Sequence, residues 1–290
     1  MERTLLHHCT LLRPEALSVQ ADGLVVFDHA SPVDPPDCIG YAGPRCGPGA
    51  PSLTQPEAED AVLDLEGTTL LPGFVDLCCA LEDAGEGDAG MAALAAYRRA
   101  GNALNRGVTA IGCADSAASR AVQQVGDRYL LWTPRLVRGA PAEGAGYHIF
   151  RGAPASGTPE EGLYLEEARA AKARGLRPAV ATGLAPEALV DGLPPLVRAA
   201  QLLCAGGYEP LEAIAGITSN NAALLGLSGR TGALAAGLEG DAVAVEGDPL
   251  ADITALARVK MAARGGRLIW CHLKGFDRIR FALVPPGCPE

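Results

Sequence analysis

The chain has 290 residues, 48% of them apolar and 20% charged, with 36 Gly and 22 Pro, a composition that describes a globular protein and excludes collagen, coiled coil and intrinsic disorder. Twenty-four basic against 34 acidic residues leave a net charge of −10, so a nucleic-acid backbone would be repelled and neither DNA nor RNA is expected as a partner. No run of 18 apolar residues occurs, and residues 1–20 carry charges and His7-His8 where a secretory signal needs unbroken apolar residues, so the expectation is a cytoplasmic chain without membrane association.

Along the chain, short apolar runs at residues 24–27 and 61–65 predict strands separated by a long Pro/Gly-rich loop over residues 31–56. A buried strand is predicted at residues 69–75, an Ala-rich helix at 90–103, a strand at 107–111, a helix at 116–125 and a strand at 129–132. Residues 139–159 carry loop chemistry. Residues 159–174 form a predicted helix with Glu160-Glu161 early and Arg174 late, matching the helix dipole, and Gly175 closes it. A strand at 178–182 follows, then helices at 195–204, 210–217 and 219–225, and finally strands at 241–245, 259–263 and 267–270.

Strands and helices alternate over residues 68–227, which points to βα units and a mainly parallel sheet, whereas both chain ends are β-rich. The nine cysteines are scattered, with no CxxC pair and no Cys/His cluster at zinc-finger spacing, so free thiols are expected and a structural zinc site is not. Gly229-Arg230-Thr231-Gly232 and Gly144-Ala145-Gly146 lack the full spacing of a phosphate-binding loop, and nucleotide binding is not expected.

Leu71-Pro72-Gly73-Phe74-Val75-Asp76, preceded by Asp64-Leu65-Glu66-Gly67, resembles the first barrel strand of the amidohydrolase superfamily, and Gly107-Val108-Thr109 resembles its second. The segment from Thr218-Ser219-Asn220-Asn221 through Gly226-Leu227, then Gly232-Ala233-Leu234 to Gly240-Asp241 and Glu246-Gly247-Asp248-Pro249-Leu250, resembles that superfamily's last helix and returning β segment. The likeness is greatest to the imidazolonepropionase-like and prolidase-like branch. It implies a metal-dependent hydrolase with a (β/α)8 barrel and a small β-sandwich.

The same resemblance shows where the chain departs. Members place two His on the first strand, at the positions held here by Cys78 and Ala80. No Lys occurs between Thr68 and Ala171, His148 is the only histidine between Ala30 and Cys271, and the base expected after Thr182 is replaced by Gly183. A barrel of eight strands takes roughly 200 to 250 residues. Residues 68–227 supply 160. The expected fold class is therefore α/β, a truncated TIM-like (β/α) barrel over residues 67–227 with about five βα units and a small β-sandwich domain formed from both termini, residues 1–66 and 228–290.

Among candidate site residues, His148 follows Gly144-Ala145-Gly146-Tyr147 in a loop resembling one that faces substrate in the prolidase-like branch, and is either a proton donor at the strand ends or a histidine kept by descent. Cys78, with Cys79 beside it, is a candidate nucleophile or soft metal ligand, or both are small apolar fillers. Asp115 is an acid/base candidate, and Cys113, Tyr147, Thr182 and Arg135 are candidate substrate contacts, Arg135 and Arg138 either holding a carboxylate or lying on the surface. Glu82 and Asp83 are pocket acids or a solvated loop; Asp76 and Asp241 read as structural, and His7, His8, His29 and His272 as surface or structural.

Two functions are expected to compete. The first is a metal-independent enzyme without cofactor that cyclises, isomerises or hydrolyses a small-molecule substrate through acid/base groups. The second is a pseudoenzyme serving as a partner or regulatory subunit. A homodimer or partner protein would cover the open edges of a shortened barrel. A closed apolar pocket with polar groups converging on His148 favours the enzyme, and a space filled by side chains favours the partner.

Overall fold

The computed structural model describes residues 3–29, 37–46, 49–50, 60–82, 88–129, 133–139, 141 and 144–273. β1 (Arg3–Arg13) and β2 (Ser18–Asp28) form a long antiparallel hairpin, reversed by a 3-10 turn at Pro14–Ala16 in which Pro14 fixes the first φ and Leu17 takes the left-handed conformation. β3 (Cys38–Pro44) pairs with β2, whereas β4 (Ala61–Asp64) and β5 (Thr68–Pro72) both run parallel to β1.

Among the described residues the central region supplies five strands and six helices. In order they are β6 (Phe74–Asp76), α1 (Ala89–Asn105), β7 (Val108–Cys113), α2 (Ala117–Tyr129), β8 (Arg135–Arg138), β9 (Tyr147–Arg151), α3 (Pro159–Ala173), β10 (Arg177–Ala181), α4 (Pro195–Ala205), α5 (Pro210–Gly216) and α6 (Ser219–Leu224). Local chemistry sets the helix starts: Asp88 accepts from Met91 N at 2.9 Å ahead of α1, and Thr158 accepts from Glu161 N at 3.2 Å ahead of α3, where Pro159 occupies the first turn. None of the described helices is long and apolar enough to cross a membrane.

β11 (Ala242–Glu246), β12 (Val259–Arg264) and β13 (Arg267–Cys271) return to the first sheet, which becomes one eight-stranded sheet in the order β13-β12-β11-β5-β1-β2-β3, with β4 also on β1. Its inward side chains, among them Leu6, Leu11, Val25, Phe27, Leu70, Ala244 and Met261, meet in one core. The alternate residues Leu12, Leu71, Val243 and Val245 belong to the main core of helices and parallel strands. Period-two alternation in β5 and β11 therefore bolts the sheet to the α/β part.

β6, β7 and β8 form one parallel ladder, and β9 and β10 another. The two ladders meet along β6 and β10, where Leu77 N donates to Val180 O at 3.1 Å and Gly183 N to Cys78 O at 2.8 Å. Side chains complete this seam. Asn221, fully buried on α6, donates from Nδ2 to Val75 O at 2.6 Å and Val180 O at 2.8 Å, and its Oδ1 accepts from Val180 N at 2.9 Å. On the other side of the seam, Gly112 leaves room for β7, since a Cβ there would lie 2.0 Å from Leu77 O.

One face of the five strands packs on α1 to α5 through residues such as Phe74, Ile111, Phe150 and Val180. The other face carries Val75, Leu77, Ala110, Ala179 and Ala181, with Val137, Tyr147 and Ile149 against them. It is covered by Ala222, Leu224, Leu225 and Leu227 from α6 and its end. A short helix and the residues after it thus cover the second face of the five strands.

Several sequence expectations are corrected. Residues 31–56 contain strand β3, and β1 begins at Arg3, well before the first expected strand. The strand expected at 129–132 is not where the third strand lies: α2 continues to Tyr129, residues 130–132 fall outside the described residues, and Arg135–Arg138 itself is the strand. The loop expected at 139–159 contains β9, whose aromatic and β-branched residues satisfy a parallel ladder with β10. β5, placed by the sequence with the barrel, belongs to the large sheet.

Replacing Asn221 by Leu would keep its branched shape while leaving Val180 N–H and Val75 O unpaired in the core, Val180 O still accepting from Leu77 N. Unsatisfied buried groups cost about 1–3 kcal/mol each, with partial relaxation. Urea denaturation is expected to show a loss of ~3 kcal/mol, and a change below ~1 kcal/mol would mean that the seam does not depend on this amide.

Candidate functional site at the strand ends

The C-terminal ends of β6, β7 and β10 gather the polar residues that the sequence singled out on this side of the sheet. Asp76 ends β6, and its Oδ1 accepts from Cys78 N and Thr182 N, both at 3.0 Å, while Oδ2 accepts from Thr182 Oγ1 at 2.5 Å. Burial pushes the Asp76 carboxyl up to about 6, against the opposing pull of these hydrogen bonds. Cys78 is exposed, and burial followed by the Asp76 charge raises its thiol. Cys79 is buried with its Sγ toward Leu184 O at 3.5 Å, and burial raises it strongly. Cys113, also buried, is pushed up to about 11 by burial.

Around this apolar centre lies a charged rim. Asp115 is held by Arg120 at 2.9 Å and Arg138 at 3.3 Å, and the Arg120 hydrogen bond keeps its carboxyl below the ordinary range. Ser116 donates to Glu82, and Ser119 to Ala114 O at 2.8 Å. Asp83 falls outside the described residues. Behind Asp76, lined by Phe74, Cys79, Val108, Leu184, Pro195 and Leu196, is a partly open pocket of about 30 Å³. A single water needs about 10–15 Å³ by the same measure, so the space suits a water or two and not a substrate.

The remaining candidates lie elsewhere. His148 is the second residue of β9, not a loop residue, and its ring faces Phe150 and α3, with Nε2 2.6 Å from Glu167 Oε1. Tyr147 starts the same strand and stacks under the Arg177 guanidinium, 4.0 Å from the ring centroid. Arg135 starts β8 and pairs with Glu239, with Asp241 3.9 Å away, so it ties the parallel strands to the large sheet. His148, Tyr147 and Arg135 are therefore near the N-terminal ends, whereas Cys78, Cys113, Asp115 and Thr182 are at the C-terminal ends. β6 and β10 separate β7 from β9. His148 and Asp115 do not converge.

Sequence reasoning assigned no role to Asn221, although a buried amide in the apolar run Asn221-Ala222-Ala223-Leu224-Leu225 was its visible signal. It also passed over a second network, in which His29 Nδ1 lies 2.6 Å from Asp37 Oδ2 and His29 Nε2 2.9 Å from Thr4 Oγ1. That network joins β1, β2 and the start of β3, and the sequence contains no spacing that announces it. Asp241, read as structural, accepts from Gly265 N at 2.7 Å through Oδ1 and from Gly73 N at 3.0 Å through its carbonyl.

The arrangement is that of an α/β protein with the amidohydrolase fold. Residues 166–269 match the model of the Amidohydrolase family, so the resemblance read from the motifs holds over that segment. Among solved structures it is similar to a Xaa-Pro dipeptidase with bound methionine (TM-score 0.68, 15% identity, 92% of this chain and 99% of that one). It is also similar to a putative prolidase from Bifidobacterium longum (TM-score 0.68, 16% identity, 93% and 95%) and to A. niger ochratoxinase (TM-score 0.68, 13% identity, 92% and 96%). At these identities the likeness is one of fold. No curated protein matches by sequence.

The metal pair that the resemblance implies does not fit the donors present. Among the described residues, the strand ends hold three thiols that burial raises above their ordinary range, Asp76 with its oxygens engaged by Thr182 and Cys78, Asp115 held by Arg120 and Arg138, Glu82 accepting from Ser116, and no imidazole. A thiol binds a metal as thiolate, and each of these environments disfavours that form.

Asp76 gives a pH prediction. Its folded-state value of about 6 exceeds the ordinary 3.8, so between pH 4 and 6 the folded chain keeps a proton that the unfolded chain releases, and stability from this group falls as pH rises. The full effect is ~3 kcal/mol. Asp76→Asn is expected to gain on the wild type by ~2–3 kcal/mol between pH 4 and pH 7 in urea unfolding, and an identical difference at both pH values would contradict it.

Proposed function

We propose that this chain is an amidohydrolase-fold protein in which a shortened barrel has been sealed rather than left open to substrate, and that it works as a pseudoenzyme, a partner or regulatory subunit, without a hydrolytic metal centre. The observation that carries this reading is the filled strand face. α6 packs Leu224, Leu225 and Ala222 against the inward residues of the five parallel strands, while Asp76, Thr182 and Asn221 spend their polar atoms on closing the β6–β10 seam.

The competing metal-independent enzyme needs acid/base groups that meet. His148 is engaged with Glu167 on the helix side of β9, Asp115 with two arginines beyond β7, and the cavity beside Asp76 is too small for a substrate. The outer edges of β8 and β9 carry no ladder partner among the described residues, which supports a second copy or another protein covering them. The composition is in keeping with a cytoplasmic setting, where the eight free thiols among the described residues persist.

The test is turnover of Xaa-Pro dipeptides and N-acyl amino acids by purified chain, with and without added Zn2+ or Mn2+. No rate above background is expected in any mixture. Metal-dependent turnover that disappears in Cys78→Ala would overturn the proposal, because the strand-end donors would then be working ligands.

A further inference from the structure

A different cluster lies on the large sheet, at the junction of β1 and β4. His8, Asp64 and Glu66 each offer one ligand atom, and the three atoms lie within 4.8 Å of one another. His8 Nδ1 is 3.1 Å from Asp64 Oδ1. Two donors each about 2.1 Å from a tetrahedral ion lie about 3.4 Å apart, so this pair already stands at ligand spacing.

The backbone explains why these side chains meet. The β1–β2 register is irregular between His7 and Cys9, and His8 sits there with φ 64, a left-handed residue inside a strand. Such a bulge re-aims a side chain that regular alternation would send to the opposite face. The rings of His7 and His8 consequently lie nearly parallel, 4° apart in plane and 6.3 Å apart in centroid. Asp64 is in register with His7, and Glu66 follows in the turn, its N–H donating to Asp64 Oδ1 at 3.0 Å.

We infer that His8, Asp64 and Glu66 form a surface site for a divalent transition-metal ion of the zinc or nickel class. One imidazole with two carboxylates suits such borderline ions better than Ca2+ or Mg2+, which favour all-oxygen sites. Among the described residues no Lys or Arg pairs with Asp64 or Glu66, while the nearby Arg45 is occupied by Asp22 at 2.8 Å. The side chains of His8 and Asp64 are 42% and 56% exposed, so an ion can reach them and water can complete its coordination. Among the described residues β4 pairs only with β1. A bound ion therefore clips β4 to β1, independently of the strand-end region.

The experiment is calorimetric titration of untagged, metal-stripped chain with Ni2+, and separately the absorption spectrum with Co2+. One Ni2+ per chain is expected, with affinity reduced at least tenfold in both His8→Asn and Asp64→Asn and unchanged in Cys78→Ser. Asn tolerates the left-handed backbone at position 8, and unaltered melting of His8→Asn without metal shows that its fold is intact. Bound Co2+ should lack a thiolate charge-transfer band. Absence of stoichiometric Ni2+ binding, binding that survives both ligand substitutions, or a thiolate band would each overturn the inference.

Discussion

Closing the seam between β6 and β10 is the constraint on which the α/β part depends. Two parallel ladders meet there, and the backbone groups at their junction are buried, so each must find a partner. Regular pairing supplies some of them. Asn221 supplies partners for Val75 O and Val180 N and a second donor to Val180 O, and Asp76 caps Cys78 N and Thr182 N beyond it. Both residues are held by opposite walls of the seam, so the loss of either would leave several unpaired groups at once rather than a single weakened contact.

That solution decides the chemistry available at the strand ends. A carboxylate committed to three hydrogen bonds in a dry place is poorly suited to exchanging ligands, and its elevated protonation range shows the desolvation it bears. The thiols beside it experience the same dry surroundings, which favour their neutral form. Charge is displaced to the rim, where Asp115, Arg120 and Arg138 neutralise each other in solvent. The likeness to amidohydrolases is accordingly strongest where it concerns scaffold and weakest where it concerns ligands.

The large sheet is joined to this scaffold by packing and by charge. Leu71, Val243 and Val245 leave the sheet's own core and enter the core of the helices, and Arg135 at the start of β8 reaches Glu239, which also holds Arg230 at 2.7 Å. The sheet gathers the first and last strands of the described residues, with β5 between β1 and β11. Separating the terminal strands from the central region would therefore remove one wall of the main core.

Much of the fold was legible because it follows from local rules. The helices at α1 and α3 to α6 announce themselves through caps, prolines and apolar spacing, and the motif around Leu71 to Asp76 announces the amidohydrolase-like scaffold together with the loss of its imidazoles. β3, β8 and β9 were not legible, since Gly, Pro and Arg in those segments read as loop until ladder partners supply the hydrogen bonds. The placement of His148 failed for that reason: a strand turns each side chain to one face, and register with β10 sends this one toward α3. The sequence by itself determined the class of scaffold and the absence of the usual ligand set, because those depend on residue identity. Only the tertiary structure decided that α6 fills the strand face, that Asp76 and Asn221 serve the seam, and that His8 meets Asp64 and Glu66, because each rests on contacts between segments far apart in the chain.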